Sequence, residues 1–436
     1  MKRSSLLALL ALSLLHCKSE PKTDKPAPAA AASTPTVASS VASATASASA
    51  SAPVVAKAEP RKGPRWLRKL PVDAVSASTE LAKGGFYPGK RAFDGSRATT
   101  WIASPKPKST DPEWLEAKLK QPKKIWGVRF DTGLVDFGAK DGDLFGENSH
   151  AKKVSILLDG KQVATREIGA EQHGAFVELD GTEAKTVRIV FDEIHAGKGA
   201  LAVTEAAILG DATDGPPQDL AELKKSVETI TSRWEKWSAS DAVQLINKVG
   251  APILGDLLTD QRCRVSLDEV DLDGQPGNEL LIRLTFEYKP EDPPADPPTP
   301  QKRMVFYAIA LGAVEGGKYV HIGSDYLVQE GRPDGFDADA TKVTVQPLHR
   351  ANLSDVVFTW GFASGENATR SSGMRAWTFE RGFLEPLIDV AFSRGKDADE
   401  TVDVTTSGAA PAKLQIMVKG EAKATLSFDA ASMLYH

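Results

Sequence analysis

Val154-Ser155-Ile156-Leu157-Leu158-Asp159-Gly160 is the stretch that decides the fold of the first folded region. A short apolar run ends on Asp-Gly, the dipeptide that accepts the positive φ of a tight hairpin turn. The same signature recurs on both sides. Trp114 to Leu119, Ile125 to Phe130, Phe176 to Leu179, Val187 to Phe191 and Ala206 to Leu209 read as strands, and Asp94-Gly95, Asp141-Gly142 and Asp180-Gly181 as turns. That spacing predicts an all-β sandwich, and no sustained helical period competes between about Asp73 and Gly210. Trp101, Trp114 and Trp126 fall in strand pattern and are assigned to its core.

Five ordered motifs in this region resemble a known family. Tyr87-Pro88-Gly89-Lys90-Arg91-Ala92-Phe93-Asp94-Gly95 with Thr99-Thr100-Trp101 is similar to the opening of discoidin-like (coagulation-factor type C) domains. Trp114-Leu115-Glu116 and Ile125-Trp126-Gly127-Val128-Arg129-Phe130 resemble its next strands, and Asn148-Ser149-His150-Ala151-Lys152-Lys153-Val154 its Asn-x-Arg-x-Lys strand entry. Val187-Arg188-Ile189, through Ile194-His195-Ala196-Gly197-Lys198 to Thr204-Glu205-Ala206, is similar to its close. The variant it most resembles is the NADase-type glycan-binding domain. His150 replaces the family's Arg and Ala206 its Ile, so ligand specificity is not carried over.

The resemblance implies a jelly-roll sandwich with a structural Ca²⁺ where the first loop meets the last strand. Asp94 and Glu205 would supply carboxylates, Thr99 a hydroxyl, and Arg91, Ser96 and Thr204 backbone carbonyls, a donor set suited to a hard cation. The alternative is that Asp94 caps its turn while Glu205 pairs with Arg91 or Lys198. The resemblance also places glycan binding at the loops of this end, where aromatic faces stack on sugars and polar groups read hydroxyls. Phe86, Tyr87, Asp136, Phe137, Phe145 and His150 are the candidates, with partial burial under a long loop as the other reading for the aromatics.

From about Pro217 the pattern changes. Leu220, Leu223, Val227, Ile230, Trp234 and Trp237 recur at helical spacing, and Ser240 to Gly250 reads as a second helix before Pro252. Alternation then returns at Leu280, Ile282, Leu284 and Phe286, and at Val305 to Leu311, Val343 to Gln346, Val356 to Trp360 and Leu414 to Val418. This predicts an α+β domain with helices first and an antiparallel sheet after. Between strands lies Asp271-Leu272-Asp273-Gly274-Gln275-Pro276-Gly277-Asn278-Glu279. It is either a plain hairpin turn or a weaker second cation site on Asp271, Asp273 and Glu279. Lys289 to Gln301 is a Pro- and Asp-rich loop. No G-x-S-x-G, H-E-x-x-H, P-loop or G-x-G-x-x-G occurs. A pair of carboxylates for glycoside hydrolysis stays open among the many acids.

The N-terminus is of another kind. Lys2 and Arg3, an apolar run from Ser4 to Leu15, and Cys17 follow the plan of a bacterial lipoprotein signal, with Cys17 as the lipidated residue. Leu14 suits a lipobox, whereas His16 beside the cleaved bond does not. Pro26 to Ala56 is an uncharged Ala/Ser/Thr/Pro/Val stretch with too little apolar area to offset the entropy of ordering. The domain plan is therefore a signal at 1–17, a disordered linker at 18–70, a discoidin-like β-sandwich at 71–212 and an α+β domain at 217–436, mainly β overall. The formal charge of −5, or −7 without Lys2 and Arg3, supplies no basic face for nucleic acid. Cys263, the other of two cysteines, alternates with Val265 and Leu267 and reads as a buried strand position. The expectation is an outer-membrane lipoprotein in the cell envelope that touches membrane through its lipid only. Its sandwich would bind a glycan or another surface ligand without catalysis, with calcium as structural cofactor. A secreted hydrolase targeted by the sandwich, or an envelope scaffold for protein partners, is the alternative.

Overall fold

The computed structural model describes residues 63–82, 87–95, 99–104, 111–133, 145–233, 239–252, 261–288, 302–331, 341–362, 370–394, 402–418 and 421–435. The expected signal with Cys17, most of the expected linker, and the 289–301 loop lie outside them.

The first domain is the β-sandwich that the motifs implied. Its strands are β1 (Leu67–Lys69), β2 (Val72–Ala77), β3 (Trp101–Ile102), β4 (Glu113–Thr132), β5 (Asn148–Leu158), β6 (Lys161–Glu167), β7 (Gly174–His195) and β8 (Gly199–Asp211). They pair in the order β1-β8-β4-β7-β5-β6, with β2 on β4, β3 on β8, and a closing pairing of β8 with β5. The β5–β6 hairpin turns on Asp159 and Gly160, both at positive φ (47° and 81°), as the Asp-Gly signal requires. Asp180-Gly181 behaves differently. Gly181 takes φ 78°, but the chain continues as β7 on both sides, so the expected turn is a bend inside one strand. Likewise β4 joins the two expected strands Trp114 to Leu119 and Ile125 to Phe130. Its pairing with β7 slips between Lys118 and Lys123, around Pro122, whose missing N–H a bulge tolerates. Leu115, Ala117, Leu119, Ile125, Val128 and Phe130 of β4 point into the core beside Trp101 and Phe191. Trp114 and Trp126 are only half-buried; they stand on the opposite side of the pleat from Leu115 and Ile125, which corrects their assignment to the core.

The second domain is layered. Its five-stranded antiparallel sheet runs β10 (Gln261–Val270), β11 (Glu279–Tyr288), β12 (Lys302–Val314), β13 (Lys318–Gly331) and β9 (Gln218–Asp219). Helices α1 (Leu220–Ser232) and α2 (Ala239–Val249) cover one face. Leu280, Ile282, Leu284 and Phe286 of β11 and Val305, Tyr307 and Ile309 of β12 meet the helices. Leu281, Met304, Phe306, Ala308 and Ala310 meet a second sheet on the other face. That sheet comprises β14 (Lys342–Gln346), β15 (Asp355–Phe362), β16 (Arg370–Thr378) and β17 (Glu385–Arg394). Its far face packs on a third, β18 (Val402–Ser407), β19 (Lys413–Val418) and β20 (Glu421–Leu426). A short hairpin, β21 (Phe428–Asp429) and β22 (Leu434–Tyr435), ends the described chain. The single expected sheet is thus three. Strands covered on both faces read as continuous apolar runs, which conceals how many layers share them. Cys263 is buried on β10, as its alternation predicted, and burial pushes its thiol well up from the ordinary value.

The described residues, from Gly63 onward, fall in one compact unit. Arg129 (β4) grips Asp131 through two hydrogen bonds, at 3.0 and 2.6 Å, and its Nε lies 3.6 Å from Glu385 of the second domain. Arg381 pairs with the same Glu385 and lies over Phe176 and Phe383, whose rings pack at 4.9 Å. The expected linker does not extend to residue 70. Trp66, Leu67 and Leu70 are each 3% exposed or less, and β1 completes the sandwich by pairing with β8. Their apolar area is too large to leave in water.

Candidate ligand-binding end of the sandwich

The loop end of the sandwich is built from β8 and the segment between Leu81 and Trp101. Leu81 bridges Tyr87. A 3₁₀ turn, Gly89–Phe93, follows and buries Ala92 and Phe93. Glu80 holds its start, accepting the Gly89 N–H at 2.8 Å. The Arg91 guanidinium lies 5.5 Å from the centre of the Tyr87 ring, a cation–π contact. Gly95 closes the turn at φ 84°, a conformation that favours glycine.

Beyond the turn, the Thr99 hydroxyl donates to Asp94 Oδ2 at 2.7 Å and lies 3.4 Å from the Arg91 carbonyl. The Glu205 carboxylate, 8% exposed, accepts the Gly95 N–H at 3.1 Å on Oε2 and the Lys69 ammonium at 2.5 Å on Oε1. Burial pushes Glu205 up to about 7, against the pull of Lys69. Thr204 is buried, its hydroxyl donating to the Gly133 carbonyl. The loop thus gathers Asp94, Thr99, Arg91 and Glu205 as the calcium reading expected, while Ser96 lies outside the described residues. Neither expected partner holds Glu205: the Arg91 guanidinium stacks on Tyr87, and Lys198 pairs with Glu147 at 2.7 Å. A hard cation needs several oxygens aimed at one point. With Lys69 seated, positive charge already stands on the carboxylate that calcium would require, so the donor set does not fit the ion.

The second acidic cluster has the same form. Asp271, Asp273 and Glu279 each bring an oxygen within 4.8 Å of the others. The turn itself uses several of them: Asp271 accepts the Gly274 N–H, Asp273 the Gln275 N–H and Glu279 the Leu272 N–H, at 2.7, 3.0 and 3.0 Å. Arg65 donates to both oxygens of Asp273 at 2.9 Å and to Glu279 at 3.1 Å. The hydrogen bond to Asp273 holds the guanidinium above its ordinary value, and burial pushes Glu279 up to about 7.

Among the ligand candidates, Tyr87 stands at this end half-buried. Phe86, Asp136 and Phe137 lie outside the described residues. Phe145 and His150 are corrected: they are 4% and 7% exposed and belong to an internal aromatic cluster. Phe145 stacks on His173 at 3.8 Å and lies 4.3 Å from His150, which lies 5.0 Å from His195. His150 Nε2, His173 Nδ1 and His195 Nε2 donate to the carbonyls of Ala170, Glu171 and Ile168 at 2.8, 3.1 and 3.0 Å. These three hydrogen bonds pin the loop between β6 and β7. Lys69 and Arg65 escaped sequence reading because they fall inside the expected linker. Trp66-Leu67 beside them was the one legible hint of structure there.

No family model matches the chain, and no curated protein is significantly similar to it. Solved structures are similar over about a third of it. Chitosan-binding module 1 from the chitosanase/glucanase of Paenibacillus sp. IK-5 is 17% identical, over 33% of this chain and 98% of that one, with a TM-score of 0.25. The family 32 CBM of C. perfringens NanJ in complex with galactose is 18% identical over 33% and 98%, TM-score 0.27. A Streptococcus pneumoniae fucose binding module is 14% identical over 32% and 91%, TM-score 0.24.

Proposed function

We propose that this chain is an exported bacterial lipoprotein, lipidated at Cys17 and held at the outer membrane, whose sandwich binds a carbohydrate without transforming it. The observation that carries this reading is the pairing of the Tyr87 ring with Arg91, on the loop that also presents the exposed Asp94 and its partner Thr99. A flat aromatic face beside a cation, a carboxylate and a hydroxyl is what a sugar ring needs: stacking for its C–H face and polar partners for its hydroxyls. His349 of the second domain offers no free general base, because carboxylates occupy both of its nitrogens. A glycan array probed with the whole chain tests the reading. A defined set of glycans is bound, and Tyr87→Ala weakens binding about tenfold or more at unchanged melting temperature. Binding that survives both Tyr87→Ala and Arg91→Ala removes this loop as the site. Mass spectrometry of the mature N-terminus tests the anchor separately, since an unmodified terminus elsewhere than Cys17 removes the lipid and leaves the sugar site standing.

A further inference from the structure

Two acidic clusters far apart in sequence are each closed by a cationic side chain, and both cations come from one short segment. Arg65 reaches Asp273 and Glu279 of the second domain, and Lys69 reaches Glu205 of the sandwich. Between and beside them the same segment is bolted down by apolar contacts. Trp66 enters the second domain's core and donates its Nε1–H to the Ala313 carbonyl at 2.8 Å. Leu67 packs with Leu209 and Phe383, and its N–H donates to the Gly382 carbonyl at 2.7 Å. Leu70 enters the core of the sandwich. Residues 63–70 are a strap across both domains.

We propose that this strap supplies in cis the two cations that the Asp94/Thr99/Glu205 and Asp271/Asp273/Glu279 clusters would otherwise take from solution, so that strap docking and divalent-cation uptake are alternatives. The physical ground is charge in a poorly solvated place. Glu279 is fully buried and Glu205 nearly so, and a buried carboxylate stripped of its cation is strongly unfavourable. Each cluster is therefore neutralised in the folded state, by a cation or by protonation of its buried carboxylate, and a cation beside it is what keeps that carboxylate ionised. A side chain already tethered beside it needs no further loss of translational freedom to bind, which an ion from solution must meet. The ion comes in only where the strap has left. Calcium is then a competitor of Lys69 and Arg65 rather than a resident ion, and the strap is the element through which the chain preceding Gly63 joins the folded body.

The test is thermal unfolding and calcium titration calorimetry on the whole chain, in EDTA and in about 5 mM calcium, a concentration that saturates extracellular-type calcium sites. Wild type is expected to melt at the same temperature in both and to take up no calcium. The double variant Arg65→Met/Lys69→Met is expected to melt roughly 5 °C or more lower in EDTA, to recover most of that loss in calcium, and to bind the ion. Where the double variant folds only on adding calcium, the recovered circular-dichroism signal is the same result. Trp66→Ala keeps both cations but loosens the strap, and it too is expected to gain calcium binding. Wild type stabilised by calcium over EDTA overturns the proposal. So does a folded double variant indifferent to calcium, and where the double variant does not fold in either condition, a Trp66→Ala protein that binds none does so as well.

Discussion

His349 is held between two acids. Its Nδ1 lies 2.9 Å from Asp355 and its Nε2 2.9 Å from Glu380, which Arg350 also grips at 2.5 Å. Burial works against the imidazolium, yet the hydrogen bonds and charges of Asp355 and Glu380 win and hold the ring above its ordinary value of 6.5. With both nitrogens donating to carboxylates, no lone pair remains to take a proton from a nucleophile. A group whose folded value is raised stabilises fully below its unfolded value and loses that contribution as pH rises through the folded one. His349→Leu is therefore expected to cost about 3–5 kcal/mol near pH 6, and the difference from wild type to shrink towards pH 9, as read by urea unfolding at both. None of this set was legible in the sequence, since its members meet through a strand and a turn that bring together residues 6 and 31 apart. Asp94 and Thr99 of the sandwich loop were legible because one local motif carries both; Glu205, which meets Gly95 across 110 residues, was placed beside them only by the family resemblance.

Elements were legible where one face is wet and obscure where both are covered. The β5–β6 hairpin announced itself by alternation and Asp-Gly, and α1 by its stripe of Leu223, Val227 and Ile230. The second-domain sheets announced only their strands, because which face meets helix and which meets sheet depends on partners the strand itself does not encode. Bends inside β4 and β7 looked like turns for the same reason: Pro122 and Gly181 mark a break in pairing, and only the neighbouring strand decides whether the chain reverses. Close packing between sheets gives a prediction at this scale. Gly373 on β16 is buried, and a Cβ there would collide with the Val390 carbonyl and the Trp360 ring. Neither backbone nor core indole moves cheaply, so Gly373→Ala is expected to cost about 2 kcal/mol or more, measured as a lowered urea midpoint with unchanged slope.

At the scale of the molecule, the sequence suggested two domains on a leash, and the chain builds one body from them. Phe176 against Phe383, Arg129 and Arg381 around Glu385, and the strap over both place apolar and charged groups where independent domains would have water. Calorimetry of the whole chain is expected to show one cooperative unfolding transition; two well-separated transitions would return the molecule to two independent halves. This coupling was not legible, because the interface residues are individually ordinary strand and turn positions whose partners lie hundreds of residues away.

The strap also sets an order in time. A chain made from its N-terminus presents Trp66 and Leu67 long before Ala313 and Gly382 exist, with 247 residues separating Trp66 from Ala313 alone. Contacts that close such long loops come late. The first piece of the described body to be synthesised is thus the last to find its place, and until it does, the molecule carries an uncovered indole and two acidic clusters without the side chains that close them.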